Sequence, residues 1–312
     1  MNKSKIDIRL ESPHVRLAPT PSGFLHEGNL FNFLLNWLWA RAHGGTVRLR
    51  IDDLDRTRVR PKYIEDIFRT LELVGIDWDQ GPTGPDDHAR DFSQMHAIPA
   101  YLAAIEQLKA KTDRVFACVC SRKQIMAASQ DGQYPGTCRT SGHTYQTGET
   151  SLRIQTPSTT PILWQDHGLG QISVDLGHVM RDFVIRRKDG IPAYQIASLI
   201  DDLNHGVNTW IRGEDLLASS AAQMWLASLL GKKEVTSWTV WHHPLLTAQA
   251  GEKLSKSAGS EAISPRLIGQ NRGNVYRNFA KWMNWPSEEI TGLEDLRELS
   301  ILQWITPSEK KF

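Results

Sequence analysis

The sequence predicts an α/β protein built on a parallel sheet, with an insertion that divides the sheet and a short helical C-terminal region. A short strand around Val15–Ala18 passes through a turn with two prolines into an apolar helix that starts at Leu30. Residues 47–51 then alternate apolar and charged side chains, as in a second strand. These observations predict a β–α–β unit. The turn-rich stretch 109–180, which contains all three cysteines, predicts the insertion.

The composition is that of an ordinary globular protein, with 312 residues of which 40% are hydrophobic, and it excludes a disordered or fibrous chain. Residues 1–13 contain no apolar signal core, and polar residues interrupt the most apolar helix, so we expect a cytoplasmic protein without membrane association. We also expect a monomer. A net charge of +1 provides no general attraction for nucleic acid. The candidate local basic patch, which can equally be solvated surface, consists of Arg48, Arg50, Arg56, Arg58, Arg60 and Lys62.

The first half of the α/β domain is predicted to span residues 14–108. Its first helix ends before Gly44-Gly45, and a second amphipathic helix begins at Pro61 and ends at Gly75. Ligands of parallel sheets bind at the carboxyl ends of the strands. Three carboxylates follow the second strand at this position, namely Asp52, Asp53 and Asp55.

The α/β pattern is predicted to resume after the insertion, over residues 181–262. Here the apolar patterns predict strands at 183–185 and 207–211 and helices at 195–203 and 219–230. Residues 263–312 are predicted to form the short helical C-terminal region.

Two motifs point to phosphate chemistry. His26-Glu27-Gly28-Asn29 opens the first helix, where unpaired backbone amides and the helix dipole can bind a phosphate, and Gly28 allows a ligand to approach the backbone. Lys253-Leu-Ser-Lys256-Ser lies in a glycine-flanked loop. Each motif alone has an ordinary explanation, because a histidine at a helix start is usually a capping or surface residue and loop lysines are usually solvated.

Together the two motifs resemble the HIGH and KMSKS signatures of class I aminoacyl-tRNA synthetases. Further segments extend the resemblance over most of residues 15–257 to glutamyl-tRNA synthetases: Arg16-Leu-Ala-Pro-Thr-Pro-Ser-Gly, Leu49-Arg-Ile-Asp-Asp-Leu-Asp, Tyr194-Gln-Ile-Ala and Ile211-Arg-Gly-Glu-Asp. Within that family the chain most resembles the short glutamyl-Q tRNA(Asp) synthetases, which lack the anticodon-binding half. The resemblance implies the Rossmann-like sheet of class I synthetases, split by a zinc-containing insertion.

The resemblance also implies the substrates, ATP with Mg²⁺ and L-glutamate, and the residues that bind them. His26 and Lys256 would be catalytic, and the ATP-binding residues would be His26, Gly28, Asn29, Lys253 and Lys256. Glutamate would be bound by Arg16, Ala18, Thr20, Asp52, Tyr194 and Arg212. The planar guanidinium groups of Arg16 and Arg212 suit the side-chain carboxylate, which they can bind bidentately. The alternatives are an ion pair of Arg212 with Glu214 or Asp215, and simple packing for Tyr194.

Asp52 departs from the family pattern. Glutamate-specific members carry Glu at this position, which the resemblance assigns to the substrate's α-ammonium group, whereas the similar glutamine enzymes carry Asp. The charge is kept, but the carboxylate is one methylene shorter. A misplacement of about 1 Å can cost on the order of 10² in rate.

Cys118-Val-Cys120 and Tyr134-Pro-Gly-Thr-Cys138 resemble the zinc site of the same short enzymes, in which three cysteines and a tyrosine bind the metal. The resemblance therefore implies one structural Zn²⁺, which would stabilise an insertion with little core of its own. His143 is a chemically commoner fourth ligand than Tyr134. Three unrelated buried cysteines are the other explanation, since free cysteines are often simply buried.

Only 55 residues follow the KLSKS motif (312 minus 257), which leaves no obvious room for an anticodon-binding domain. The resemblance implies tRNA-independent activation of glutamate and its transfer to queuosine in the anticodon of tRNA(Asp), whose cis-diol imitates a terminal ribose. The alternatives are a truncated glutamyl-tRNA synthetase that charges a tRNA 3′ end and a catalytically silent tRNA-binding paralogue.

Overall fold

The structure is a computed structural model that describes residues 12–129, 131–157, 160–246, 263–264, 267 and 272–305. These residues fall into two compact units. Unit 1 comprises the described residues of Met1–Ile51, Thr57–Arg90 and Thr247–Phe312, and unit 2 comprises those of Asp52–Arg56 and Asp91–Leu246. The four segments predicted from the sequence remain a prediction.

In chain order the strands are β1 (His14–Leu17), β2 (Thr46–Leu49), β3 (Val115–Cys118), β4 (Ser151–Ile154), β5 (Ile162–Asp166), β6 (Gly170–Val174), β7 (Phe183–Arg186), β8 (Thr209–Gly213) and β9 (Thr239–His243). The longer helices are α1 (Glu27–Ala42), α2 (Pro61–Leu73), α3 (Ile98–Lys111), α4 (Arg122–Ala128), α5 (Tyr194–Asn204), α6 (Leu217–Leu230), α7 (Gly273–Trp282) and α8 (Leu293–Trp304). Short helical turns lie at Pro85–Asp87, His88–Phe92, Gln94–Ala97, Leu176–Val179, Glu214–Leu216 and Lys233–Ser237.

Unit 1 contains the predicted β–α–β unit. Strands β1 and β2 pair in parallel from His14 opposite Thr46 to Leu17 opposite Leu49, and α1 connects them. Leu17, Leu49 and most of the apolar residues of α1 are buried, which explains why α1 reads as apolar around much of its circumference. The parallel pairing directs the chain after both strands to the same edge.

The C-terminal helices of unit 1 pack on α1 through aromatic side chains. Phe279 of α7 meets Phe31 with ring centroids 5.5 Å apart, and Trp304 of α8 meets Trp39 at 5.2 Å. Both contacts are edge-to-face or near it, the geometry that the ring quadrupoles favour. The described part of the predicted C-terminal region is therefore helical, as expected.

Unit 2 contains a second parallel pair, β8 with β9, and the three helices α3, α5 and α6 that pack on one another. Helix α6 ends at Gly231, which has a φ of +77° and supplies the left-handed residue that terminates it. The fully buried Trp210 of β8 lies in the core of this unit. The predicted strands and helices of this region are all present, within a few residues of the predicted bounds.

Two antiparallel assemblies complete unit 2. Strands β3, β4 and β7 form one sheet, and β5 and β6 form a hairpin. The strand predicted at 183–185 is present as β7, and it pairs antiparallel with β4 in the sheet that β3 and β4 form. A short buried apolar run indicates a strand but does not specify its partner.

No helix among the described ranges has both the length and the apolar character needed to cross a membrane.

Candidate active site

The start of α1 has the geometry predicted for a phosphate site. His26 is the N-cap residue, with extended backbone angles (φ −121°, ψ 170°), and its carbonyl accepts hydrogen bonds from the amides of Asn29 and Leu30. The side chain of Asn29 accepts a hydrogen bond from the amide of His26 at 3.2 Å. Asn29 therefore holds the N-cap residue in place. The amides of the first helical turn point out of the helix end, where an anion can bind.

Gly28 lies against the imidazole of His26. A Cβ atom at position 28 would lie 3.2 Å from both Cε1 and Nδ1 of that ring, a contact tighter than ordinary packing. The glycine therefore allows the histidine ring to rest against the first turn of α1.

The turn that leads into α1 is fixed from two directions within unit 1. The amide of Leu25 donates to Oδ2 of Asp66 on α2 at 3.1 Å, and the carbonyl of Leu25 accepts from the amide of Ile263 at 3.0 Å. The hydroxyl of Ser264 donates to the other oxygen of Asp66. Asp66 has no local sequence signal, because no local pattern connects a helix carboxylate to a turn 41 residues earlier.

Lys253 and Lys256 lie outside the described residues. Ile263 and Ser264, which follow the KLSKS motif, are the described residues nearest to it on its C-terminal side, and both contact the Leu25 turn or its anchor.

Arg16, Ala18 and Thr20 belong to unit 1, on β1 and the turn after it. Arg16 is only 6% exposed, whereas Ala18 and Thr20 are half-buried. The amide of Arg50 donates to the carbonyl of Leu17 at 2.9 Å and continues the β1–β2 pairing to the end of β1. The backbone that carries these three predicted residues is thus tied to the sheet of unit 1.

Asp52 and Asp53 lie in unit 2 and are both buried. Asp53 accepts hydrogen bonds from the hydroxyl of Ser93 at 2.6 Å and the amide of Gln94 at 2.9 Å, and it also pairs with Arg56 at 3.0 Å. A carboxylate with this many internal partners is structural. Among the three acidic residues that follow β2 in the sequence, Asp52 is the one that the family resemblance assigns to substrate.

Arg212 is buried on β8, at 3% exposure. Its NH1 donates to Oε1 of Gln223 at 2.9 Å and to Oγ of Ser220 at 3.4 Å. Its guanidinium carbon lies 4.2 Å from the ring centroid of Trp210, a cation–π contact two residues away on the same face of the strand. These contacts restrict the guanidinium on one edge and one face. Ser220 and Gln223 were not predicted, because on α6 they read as ordinary helix residues.

Tyr194 is the first residue of α5 and is 42% exposed. Its neighbour Gln195 is partly buried and donates from Nε2 to Oγ of Ser219 at 3.0 Å. The assignment of Tyr194 to a glutamate pocket stays a prediction.

The three cysteines lie together, as their clustering in the sequence suggested. The sulfurs of Cys118, Cys120 and Cys138 are all within 4.8 Å of one another, and those of Cys120 and Cys138 are 3.6 Å apart. The buried hydroxyl of Tyr134 accepts a hydrogen bond from the amide of Cys138 at 2.7 Å. His143 is exposed and does not belong to this cluster.

The chemistry of this cluster fits a thiophilic metal ion. Burial and hydrogen bonding to its neighbours raise the pKa of the Cys120 thiol to about 12, and burial also raises the pKa of the Tyr134 hydroxyl. Burial opposes ionisation of Cys138 too, but a hydrogen bond from the amide of Val119 lowers its pKa below the ordinary value. Three close thiols match the preference of Zn²⁺ for thiolate, and bound zinc would keep all three deprotonated.

A basic pocket of about 460 Å³ lies beside the cysteine cluster and includes Cys120 and Tyr134 in its wall. Its one acidic lining residue, Asp182, is paired with Arg139 through two hydrogen bonds of 2.6 and 2.9 Å. The basic lining residues are Arg122, Arg153, Arg187 and Lys188. This local positive surface differs from the patch at 48–62 that the sequence suggested, because its residues come from distant segments.

The sequence was compared with known proteins. Residues 13–271 match the family described as tRNA synthetases class I (E and Q), catalytic domain. The glutamyl-Q tRNA(Asp) synthetase of Verminephrobacter eiseniae is 36% identical over 308 residues, covering 95% of this chain and 98% of that protein. The glutamyl-Q tRNA(Asp) synthetase of Dechloromonas aromatica is 39% identical over 258 residues, covering 80% of each. The resemblance predicted from the motifs is confirmed.

The fold matches a solved structure as well. The glutamate tRNA ligase of Elizabethkingia meningosepticum, determined in complex with its amino acid, aligns over 93% of this chain with a TM-score of 0.74 and 24% identity. This chain spans 64% of the length of that ligase. The predicted α/β fold of the class I synthetases is thereby confirmed, whereas zinc in the insertion stays a prediction.

Proposed function

Because the chain belongs to the class I tRNA synthetases (E and Q), and is thus a ligase of the aminoacyl-tRNA synthetase type, we propose that it activates L-glutamate with ATP and transfers it to tRNA(Asp). Activation forms glutamyl-adenylate and releases pyrophosphate, and it needs no tRNA. The acceptor is queuosine in the anticodon. The proposal rests first on Arg212, a buried cation that suits an amino acid with an acidic side chain.

The selection of glutamate follows from charge and geometry. Arg212 is held by Gln223, Ser220 and Trp210, so its guanidinium has little freedom and can meet a carboxylate bidentately. Arg16 is the second guanidinium assigned to the substrate by the family resemblance. Asp52 supplies a negative charge for the α-ammonium group.

Adenylate formation requires stabilisation of charge on the α-phosphate. The substrate's α-carboxylate oxygen attacks phosphorus, the bond to the bridging oxygen breaks, and pyrophosphate leaves with the electron pair. Negative charge grows on the phosphate oxygens, and preorganised donors there contribute most to the rate. The proposed donors at the start of α1 are the side chain of the N-cap residue His26 and the first-turn backbone at Gly28, with Asn29 holding the N-cap residue through its side chain. Lys253 and Lys256 contribute their positive charges to the same ATP, which is bound with Mg²⁺.

The insertion serves the RNA substrate. Cys118, Cys120, Cys138 and Tyr134 hold one structural Zn²⁺, and the exposed position of His143 favours Tyr134 as the fourth ligand. The adjoining basic pocket provides local positive charge for phosphates, which the overall net charge of +1 does not.

Transfer to queuosine is supported by the relatives, which carry the name glutamyl-Q tRNA(Asp) synthetase. The alignment with the Verminephrobacter eiseniae protein covers 98% of that relative. The cis-diol of the queuosine ring presents the same two hydroxyls as a terminal ribose, so the ester bond forms by the same chemistry. Charging of a tRNA 3′ end by a reduced synthetase is the alternative. Both reactions are compatible with a chain that spans 64% of the length of the solved glutamate tRNA ligase.

The first experiment is amino-acid-dependent ATP–pyrophosphate exchange with each of the twenty amino acids, without tRNA. We expect exchange with glutamate alone and its loss in Lys256→Ala. Exchange that prefers an uncharged amino acid would contradict the roles of Arg16 and Arg212. Exchange that survives in Lys256→Ala would contradict the role of the loop.

The second experiment supplies labelled glutamate with tRNA(Asp) that contains or lacks queuosine. We expect label only on the queuosine-containing tRNA, and queuosine-containing tRNA from which the 3′ terminal adenosine has been removed should be labelled as well as the intact tRNA. Label on the 3′ terminal adenosine would select the alternative.

A further inference from the structure

Arg212 is the end of a buried chain of hydrogen bonds that reaches into the β5–β6 hairpin. Ser220 Oγ lies 3.4 Å from NH1 of Arg212 and 2.8 Å from Nε2 of His242. Nδ1 of His242 lies 2.6 Å from Oδ2 of Asp166. Asp166, Ser220 and His242 are each no more than 2% exposed. The chain Asp166–His242–Ser220 is therefore sealed from solvent behind Arg212.

The proton positions at the two ends of this chain follow from the chemistry of the end groups. A guanidinium only donates and a carboxylate only accepts, so Arg212 donates to Ser220 and Nδ1–H of His242 donates to Asp166. Between them, the hydroxyl of Ser220 and Nε2 of His242 share one hydrogen bond.

Each member is fixed by secondary structure. His242 is the register partner of Arg212 on the adjacent parallel strand, and Ser220 comes from α6, one turn before Gln223. Asp166 ends β5, and its Oδ1 accepts from the backbone amide of His242 at 3.1 Å and from that of Gly168 at 2.9 Å. The carboxylate thus fastens the turn of the hairpin to β9.

We propose that Asp166, His242 and Ser220 are positioning residues for amino-acid selection, which act by orienting the guanidinium of Arg212 toward the side-chain carboxylate of the substrate. This rests on the proposed function. Without the Ser220 hydroxyl, NH1 keeps Gln223 as a partner but loses a second hydrogen bond that helps to define the plane of the group. Bidentate recognition depends on that plane.

The test is steady-state ATP–pyrophosphate exchange with Ser220→Ala, a change that removes one oxygen atom. We expect KM for glutamate to rise about ten-fold, while kcat and KM for ATP stay within about two-fold of the parent. The reason is that the lost contact orients Arg212 equally for binding of the ground state and of the transition state. Ser228→Ala is the matched control, since Ser228 lies on the same helix and its hydroxyl bonds only the carbonyl of Trp225 among the hydrogen bonds described for it. This control should match the parent.

A second pair of variants guards against loss of folding. His242→Gln can still place an amide oxygen near the Ser220 hydroxyl, whereas His242→Ala cannot, so KM for glutamate should rise less in the Gln variant than in the Ala variant. Partial unfolding lowers kcat but leaves KM unchanged, so it does not imitate this result. If the parent is active, two results overturn this inference and leave the proposed function standing. One is an unchanged KM for glutamate in Ser220→Ala, and the other is an equal KM for glutamate in both His242 variants. A parent that shows no glutamate-dependent exchange overturns the proposed function and this inference with it.

Discussion

The carboxylate of Asp66 accepts a hydrogen bond from the backbone amide of Leu25, the residue before the N-cap histidine of α1. Asp66 is 6% exposed, and its second oxygen accepts from Ser264, which follows the KLSKS motif in the sequence. One buried side chain therefore fixes both the turn before His26 and the chain beyond the lysine motif.

Replacing Asp66 should therefore affect stability and ATP use together. We expect Asp66→Asn to lower the free energy of unfolding by about 1–3 kcal/mol, because the amide group satisfies fewer of the acceptor roles and leaves a buried donor unpaired. In exchange assays, kcat should fall and KM for ATP should rise. Glu65→Gln is the control, since the adjacent Glu65 is exposed on the same helix. An Asp66→Asn enzyme with parental ATP kinetics would show that the turn holds its shape without this bond.

Gly28→Ala should slow adenylate formation through His26. The added Cβ would lie 3.2 Å from two atoms of the imidazole, so the ring must move by a few tenths of an ångström. We expect kcat for exchange to fall roughly ten-fold, less than the loss typical for deletion of a charge-stabilising donor. Gly84→Ala is the control, because a Cβ there meets nothing within 4 Å. Equal exchange activity in the two variants would show that adenylate formation does not depend on the position of the His26 ring.

The parts of the fold that the sequence predicted are those specified locally. The β–α–β unit, the helix stop at Gly231 and the N-cap position of His26 each depend on residues close in the chain, and all three are present. The antiparallel pairing of β7 with β4 was not predicted, because strand pairing depends on distant segments. The contact between Asp166 and His242 was not predicted for the same reason, since 76 residues separate them.

The candidate site was predictable to the extent that family motifs carry it. His26, Gly28 and Arg212 lie in matching segments, and the three cysteines lie close in sequence as well as in space. The residues that orient these groups have no motif of their own. The basic pocket likewise gathers side chains from separate segments, so no charge run in the sequence marks it.

Substitutions of Asp52 should alter glutamate kinetics, whereas substitution of Asp53 should alter the melting temperature. We expect Asp52→Asn to lose on the order of 10² in kcat/KM for glutamate, because a charge at the α-ammonium group is removed. Asp52→Glu keeps the charge and should lose much less. Asp53→Asn should instead reduce the melting temperature, since Asp53 accepts from Ser93 and Gln94. Thermal melts and exchange kinetics on the three proteins measure both effects, and parental glutamate kinetics in Asp52→Asn would remove Asp52 from the substrate site.

Asp166 should make stability depend on pH in the acid range. Burial alone would raise the pKa of Asp166, but hydrogen bonds from the ring and amide of His242 lower it below the ordinary value of 3.8. A lowered folded-state pKa gives stability that is present above the ordinary value and is lost as the pH falls through the folded pKa. The difference in unfolding free energy between the parent and Asp166→Asn should thus shrink in urea titrations as the pH falls below the ordinary value of 3.8. A constant difference would mean that the charge of Asp166 contributes nothing.

The cysteine cluster should hold one zinc ion per chain. Protein purified without chelator should contain one equivalent by elemental analysis, and Cys138→Ser should lose it, because a tetrahedral site tolerates no missing thiolate among three. Removal of the metal should loosen the insertion and weaken the use of tRNA, while glutamate-dependent exchange should suffer less, since the cluster supplies no group to the adenylation step.

The fourth ligand can be assigned by comparing two variants. Tyr134→Phe removes the buried hydroxyl beside the thiols, whereas His143→Ala changes an exposed side chain outside the cluster. We expect Tyr134→Phe to release zinc to a competing chelator faster than the parent and His143→Ala to release it at the parental rate. The opposite order would assign the metal to His143 and require the segment around it to move toward the thiols. Purified protein that contains no metal and still labels tRNA would contradict the zinc prediction. The three cysteines would then be buried packing residues.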